Sequence, residues 1–244
     1  HLLDAVTDLP VPTGDPVETL PETEPFSRLN WRVRFVPALC PNCGWDLEGE
    51  RDALVLICTH CRSAWSPSEG KLTKLETCHV ISEDPRAVYF PFWRISAVVE
   101  GVPLETYGDL IRAAKLPKLI NLQETKRPFR FWTPAFKVAP KAFLRLAENL
   151  TLSQPDFPIH RETPPGSAFT ANFTPKAAAE SLKITLAGLL WPWEEFFPIL
   201  EGISVTARRM LLVYIPFMEG HHEWIHPTLP ITLHKSVMRM AVHL

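Results

Sequence analysis

The 244-residue chain has no run of eighteen apolar residues, the length a helix needs to cross a bilayer. Its longest candidate, Ile184 to Trp193, meets Glu194 and Glu195 after ten positions. A membrane-spanning helix is therefore not expected. Neither sign of charge is in surplus: 25 basic against 27 acidic side chains give a net charge of −2, so any electrostatic function must be local. A Gly-rich phosphate loop, a Gly-x-Ser-x-Gly elbow and an interpretable pair of carboxylates are all missing, which removes the common sequence signatures of nucleotide binding and hydrolysis. Glu194 and Glu195 are adjacent and would diverge on a helix. Cysteine is scarce, with five in all and four of them in close pairs. A disulfide-stapled secreted domain disperses its cysteines instead, so a reducing, cytoplasmic compartment is expected. The chain opens on His1 without a basic-then-apolar leader, as a processed form or a part of a longer protein would.

What is present is enough for a globular core, since 46% of the residues are hydrophobic. Proline reaches 25 residues, about twice ordinary usage, and predicts short elements and many fixed turns. Residues 1–30 carry Asp4, Asp8, Asp15, Glu18, Glu22 and Glu24 against Arg28 alone and read as an acidic, proline-rich lead-in without regular structure. Residues 31–83 alternate strands with cysteine turns, and residues 84–244 read as a larger unit. In that unit Ala87–Gly101 is a long buried strand, bent or at an edge where Pro91 removes a donor. Asp109 caps a short helix through Lys115, and Pro140 starts another whose Phe143, Ala147 and Leu150 face one way. Thr174 and Pro175 open the longest helix, with Ala178, Leu182, Leu186 and Leu189 as its apolar stripe. Strands return at Met210–Phe217 and Leu229–His234. Val88-Tyr-Phe-Pro-Phe92 is echoed by Val213-Tyr-Ile-Pro-Phe217, by duplication or by convergent packing.

Two Cys-x-x-Cys pairs, Cys40-Pro-Asn-Cys43 and Cys58-Thr-His-Cys61, are separated by fourteen residues, enough for one hairpin and too few for a domain. Folded together they deliver four soft donors to one tetrahedral ion, and Gly44 supplies the left-handed position such a turn wants. The stretch from Trp31 to Trp65 resembles the zinc-ribbon family, within the broader rubredoxin-like class of knuckles. The resemblance implies one structural Zn2+ held by Cys40, Cys43, Cys58 and Cys61. Iron is the minor alternative, because rubredoxin-like proteins carry similar turns, but their second knuckle usually has glycine where Arg62 stands and their knuckles lie further apart. Four thiolates leave no open coordination position, so the ion is expected to stabilise the fold and not to activate water.

Two other constellations carry chemistry if taken literally. His222-Glu223-x-x-His226 is the pattern of a zinc metallohydrolase, which requires a helix and a third ligand. Gly220 and Pro227 hem the motif in, no Asp or Glu follows Glu223, and Leu229 stands where the extended pattern has glycine, leaving His234 or His243 as awkward substitutes. A polar hairpin turn is the expected structure there. Between Arg112 and Arg145 lie nine cations, Arg112, Lys115, Lys118, Lys126, Arg127, Arg130, Lys137, Lys141 and Arg145, against Glu124 alone, interleaved with Phe129, Phe131, Trp132, Phe136 and Phe143. Such a band can bind nucleic acid or an anionic membrane surface, but a solvated face over buried aromatics meets the same pattern. Cys78-His79 reads as a half-buried thiol and its neighbour.

These readings converge on an α+β chain, a small β zinc ribbon followed by a larger domain with a mostly antiparallel sheet and no catalytic residues. The expected role is that of a binding or assembly subunit, with the ribbon facing a protein partner. Within residues 31–66 the basic Arg32, Arg34, Arg51 and Arg62 are matched by Asp46, Glu48, Glu50 and Asp52, which favours protein over nucleic acid at the ribbon.

Overall fold

A three-stranded antiparallel sheet forms first along the chain: β1 (Leu56–Ile57), β2 (Ala64–Ser68) and β3 (Lys71–Leu75), in the order β1-β2-β3. The structure is a computed structural model that describes residues 35–68 and 70–241. The acidic lead-in, Trp31 and His243 lie outside the described residues. The rest of the chain builds a seven-stranded sheet, so the α+β expectation holds. Its elements are β4 (Thr77–Val80), β5 (Val88–Glu100), α1 (Tyr107–Ala113), α2 (Leu122–Lys126), β6 (Phe131–Pro134), α3 (Pro140–Ser153), β7 (Ile159–His160), α4 (Pro175–Leu189) and α5 (Trp193–Phe196). A 3-10 segment, Phe197–Gly202, leads to β8 (Ser204–Glu219), β9 (Glu223–Ile225), β10 (Thr232–His234) and α6 (Lys235–Ala241). Every pairing in the larger sheet is antiparallel except that of β4 with β8.

β5 and β8 pair along almost their whole length, from Val88 opposite Phe217 to Glu100 opposite Ser204. β6 covers the other edge of β5, while β4 and then β9 share the far edge of β8. β5 is thus an interior strand and not an edge strand, and its irregularity is a register shift between Ser96 and Ala97. The antiparallel register sets the two pentapeptide echoes against each other, Val88 facing Phe217 and Phe92 facing Val213. Tyr89 exchanges backbone hydrogen bonds with Ser167 and Phe169, and the Pro91 carbonyl accepts from Ala135. The backbone groups of residues 89 and 91 therefore point away from β8, so Pro91 removes no bond from the β5–β8 ladder. Pro216, opposite Tyr89, likewise faces away from β5, between the ends of β4 and β9. The two copies of Tyr-x-Pro-Phe thus take equivalent places on either side of the β5–β8 ladder.

Successive side chains of a strand point to opposite faces, and here both faces of the sheet centre are covered. Tyr89, Trp93, Ile95, Leu212 and Tyr214 pack on one face with Leu110 and Ile111 of α1 and with Ala178, Leu182, Leu186 and Leu189 of α4. On the other, Phe90, Phe92, Val213, Ile215 and Phe217 meet Phe143, Leu146 and Leu150 of α3 together with Trp224 and Leu233. The predicted stripes of α3 and α4 are therefore the buried ones. Thr174 caps α4 as expected, its hydroxyl accepting from the Ala177 N–H at 3.0 Å. Asp109 is not the cap of α1. Thr106 holds that position, and Asp109 completes a capping box by accepting from the Thr106 N–H at 2.8 Å.

The ribbon and the large sheet share one compact unit, Val36–Leu244. Val55 and Ala64 belong to the same core as Trp93 and Leu182, and Leu54 donates a backbone bond to Ala171. Phe90 stands at the centre of the opposite core, with ring contacts to Phe136, Phe169, Phe217 and Trp224 at centroid distances of 4.1–5.7 Å. Phe90→Ala is expected to destabilise the protein by about 3–5 kcal/mol through the cavity it leaves. A lowered urea midpoint at unchanged slope is the readout, and a loss below about 1 kcal/mol would refute the central placement.

Candidate metal centre

Cys40 and Cys43 lie on the first turn, where the Gly44 N–H bonds the Cys40 carbonyl at 2.8 Å and the Cys40 N–H bonds the Trp45 carbonyl at 2.7 Å. Gly44 has φ +75°, the left-handed conformation the sequence predicts for it. The second turn repeats one of these bonds, from the Cys58 N–H to the Ser63 carbonyl at 2.8 Å, without glycine. Arg62 occupies its left-handed position at φ 54°, a conformation that costs a residue with a Cβ about 1–2 kcal/mol. Its side chain is tied down in return: Arg62 Nη2 donates to the Thr163 carbonyl at 2.9 Å and Nε lies 3.3 Å from Glu162.

The four sulfurs all lie within 4.8 Å of one another. Cys40–Cys61 and Cys43–Cys58 are each 3.5 Å apart, close to the ~3.8 Å edge of a tetrahedron with metal–sulfur bonds of about 2.3 Å. A disulfide would require about 2.0 Å. The set is arranged to hold a metal ion. Cys40 and Cys58 are buried, Cys61 is partly covered and Cys43 is exposed. Behind them Ser63 is the supporting group, its oxygen 2.9 Å from the Cys61 sulfur and accepting from the Trp65 indole at 2.8 Å. The Ser63 hydrogen bond, followed by that of Asn42, pulls Cys61 down to about 5. At Cys43 the Trp45 backbone favours the thiolate, but burial and the three neighbouring sulfurs outweigh it and push the thiol up to about 12.

The remaining candidates fall elsewhere. His222 and His226 flank β9, a strand, so they do not form the one-turn pair of a helical zinc site, and the hydrolase pattern is overturned at its first requirement. The turn before β9 is the expected hairpin turn, where Gly220 donates to the Glu223 carbonyl at 2.8 Å. His226 is a core residue: its Nδ1 accepts from the N–H groups of Thr228 and Leu229 at 3.1 and 2.9 Å, and burial lowers its pKa to about 4. The basic band is not a stacking platform, because Phe129, Phe131, Trp132, Phe136 and Phe143 are all buried. Arg112, Lys115 and Lys118 pair with Asp109, Glu195 and Glu124. Arg127 donates to the Gln154 carbonyl and lies over the Tyr107 ring. Cys78 is fully buried, at 1% exposure, where burial raises its thiol pKa. Sequence reasoning missed Ser63 and the Arg62 tie, for neither residue type announces such a role.

Compared with known proteins, the chain matches no family, no curated protein and no solved structure. The fold and the site define it as an α+β protein whose small three-stranded sheet carries four cysteines arranged to hold a metal ion. Among the described residues this cysteine set is the one group arranged for a metal, and no described helix is long and apolar enough to cross a membrane.

Cys58→Ser is expected to reduce the metal content measured by mass spectrometry from one ion per chain towards none. It should also lower the melting temperature, because Val55 and Ala64 carry the disturbance into the main core. Unchanged metal content would overturn the assignment. The His226 pKa lies below the unfolded value of 6.5, so the unfolded state binds the extra proton first. The stability it contributes is present above pH ~6.5, is lost as the pH falls towards ~4 and changes little below that. His226→Phe should flatten this part of the pH–stability curve; an unaltered slope would refute the burial argument.

Proposed function

We propose that the chain is a non-catalytic binding or assembly subunit whose ribbon, closed around one structural Zn2+, docks onto a protein partner. The observation that carries this reading is the set of four thiols within 4.8 Å of one another. Four thiolates fill a tetrahedral ion and leave no position for water or substrate. Zinc suits four soft donors and contributes directly to folding, which is the role a small three-stranded ribbon with few buried residues requires. The five cysteines are free thiols, consistent with a reducing, cytoplasmic setting.

The outward knuckle supports a protein-facing role. Trp45 is 55% exposed and stacks on His60 at 5.2 Å, and Leu39 is 51% exposed. Exposed Asp46 follows Trp45 and is bridged to Leu39, and Glu48 and Glu50 are exposed further along the same segment, so the fitting partner presents an apolar recess with basic groups beside it. Aromatic anchors of this kind dominate binding energy when they are held rigidly. Here rigidity comes from the ion on one side and from the Arg62 and Leu54 bonds to the large domain on the other.

Metal analysis is expected to find one zinc per chain, while a red, iron-containing protein would overturn the zinc assignment. Pull-down from the native source with Leu39→Ser/Trp45→Ala should lose the co-purifying protein while zinc content and melting temperature stay within error. Partner retention by this double variant would refute docking through the knuckle.

A further inference from the structure

The sequence disperses its arginines, but the sheet gathers several of them. Arg94 on β5 faces Trp132 of β6 and Leu211 of β8 in register, and Ser96 faces Arg209. Paired residues share a face, as do residues two apart on one strand. Arg94, Ser96, Arg209, Leu211 and, two residues before Trp132, Arg130 therefore occupy one face. Cys78 joins this face through its pairing with Val213. Arg161 follows β7 directly, beside β4. This is the face that α3 covers at its other end, where Phe90, Phe92 and Val213 are buried.

Beyond α3 the face is open, and the ribbon stands over it as a wall. The resulting cavity measures about 630 Å³ and is lined by Arg62 and Lys74 from the ribbon and by Arg94, Arg130, Arg161 and Arg209 from the sheet side. Against these six cations the lining holds two carboxylates, and both are engaged: Glu76 with Arg209 at 2.7 Å, Glu162 with Arg62 at 3.3 Å. Among the described residues Arg94, Arg130 and Arg161 have no carboxylate within ion-pair distance. Arg94 lies 5.9 Å over the Trp132 ring, and Arg130 donates to the Phe129 carbonyl at 2.8 Å. Burial, and after it the charges of Arg94 and Arg209, holds the Arg130 pKa below the usual guanidinium value. A solvated surface mixes its charges and spreads like ones apart. Here like charges crowd in a concavity, a cost that a bound anion removes.

The anion's chemistry follows from the donors. Planar guanidinium forks match the oxygens of phosphate in pairs, and a cavity of this volume with cations on both walls has room for more than one phosphate group. The volume suits a small molecule, for which sites run from about 300 to 1,000 Å³. Arg94 and Arg130 also line a neighbouring cavity with Arg127, so the cationic lining continues past them. The aromatic residues that a nucleic-acid groove would offer for stacking, Phe129, Phe131 and Trp132, are buried in the cores. We propose that this arginine-lined cavity binds a small molecule through two or more linked phosphate groups. The ligand would bridge the second knuckle of the ribbon to the large sheet, and the site stands independently of whether the outer knuckle docks a partner.

The test is calorimetric titration of the metal-loaded full chain with tripolyphosphate, pyrophosphate and inorganic phosphate at low salt. One saturable site is expected, with pyrophosphate at least about tenfold tighter than phosphate and with affinity falling as salt is raised. Arg94→Gln and Arg130→Gln should each weaken pyrophosphate binding about tenfold or more, the loss of one charge-assisted pair of hydrogen bonds. Lys126→Gln, outside the cavity, should leave it unchanged. Because Arg130→Gln relieves repulsion, its unliganded melting temperature should be equal to or above that of the parent, which separates lost binding from lost fold. Absence of saturable binding by all three probes at about 10 mM, well beyond millimolar affinity, overturns the proposal. So does unchanged affinity in both arginine variants. Binding to single-stranded RNA or to anionic phospholipid vesicles without binding to free pyrophosphate overturns it equally, in favour of a macromolecular surface.

Discussion

The antiparallel pairing of β5 with β8 is the constraint on which the other features depend. All thirteen residues of β5 lie against Ser204–Phe217 of β8, and their central side chains are buried on both faces. That double burial demands a layer on each side, which α3 supplies on one and α1 with α4 on the other. It also explains why proline sits in the middle of two interior strands. Both prolines occupy positions whose missing donor points away from the shared ladder, so the β5–β8 ladder continues past each of them.

The ribbon is held by two unlike forces. Its own small core of Cys40, Leu47, Cys58 and Trp65 buries too little apolar surface to stand alone, and the thiol set fits an ion that would tie it from within. From outside, Val55 and Ala64 insert into the main core, Arg62 reaches Thr163 and Asn172 reaches Asp52 at 2.5 Å. The left-handed Arg62 links the two systems. A glycine there would relax the backbone but lose the guanidinium contacts to the Thr163 carbonyl and Glu162, so the strain of one turn is offset by an anchor to the loop after β7.

Short motifs were legible in proportion to how little they depended on distant residues. The cysteine clip is local: two turns and one hairpin bring four sulfurs together, and the spacing alone announces it. The caps and stripes of α3 and α4 are local too, because proline geometry and a 3.6-residue period act within a few turns. His222-Glu223-x-x-His226 has the letters of a metal site, but its chemistry requires a helix. The pairing of Glu223–Ile225 with β8 and β10 settles that stretch as a strand. In the band from Arg112 to Arg145 the aromatics are buried as a solvated face over a core requires, and residues close in sequence are divided between core, ion pairs and separate surfaces. Long-range sheet register also decided that β5 is interior, which no local composition reveals.

By itself the sequence determined the class of fold, the four cysteines that come together, the main helices and the absence of a long apolar span, because these rest on periodicity, turn chemistry and donor spacing within tens of residues. Only the tertiary structure decided that the ribbon shares the core of the larger sheet, that Ser63 stands behind the sulfurs and that Arg62, Arg94, Arg130, Arg161 and Arg209 line one cavity. Those residues are separated by up to 147 positions, and what unites them is strand order and register, a property of the whole sheet and of no single segment.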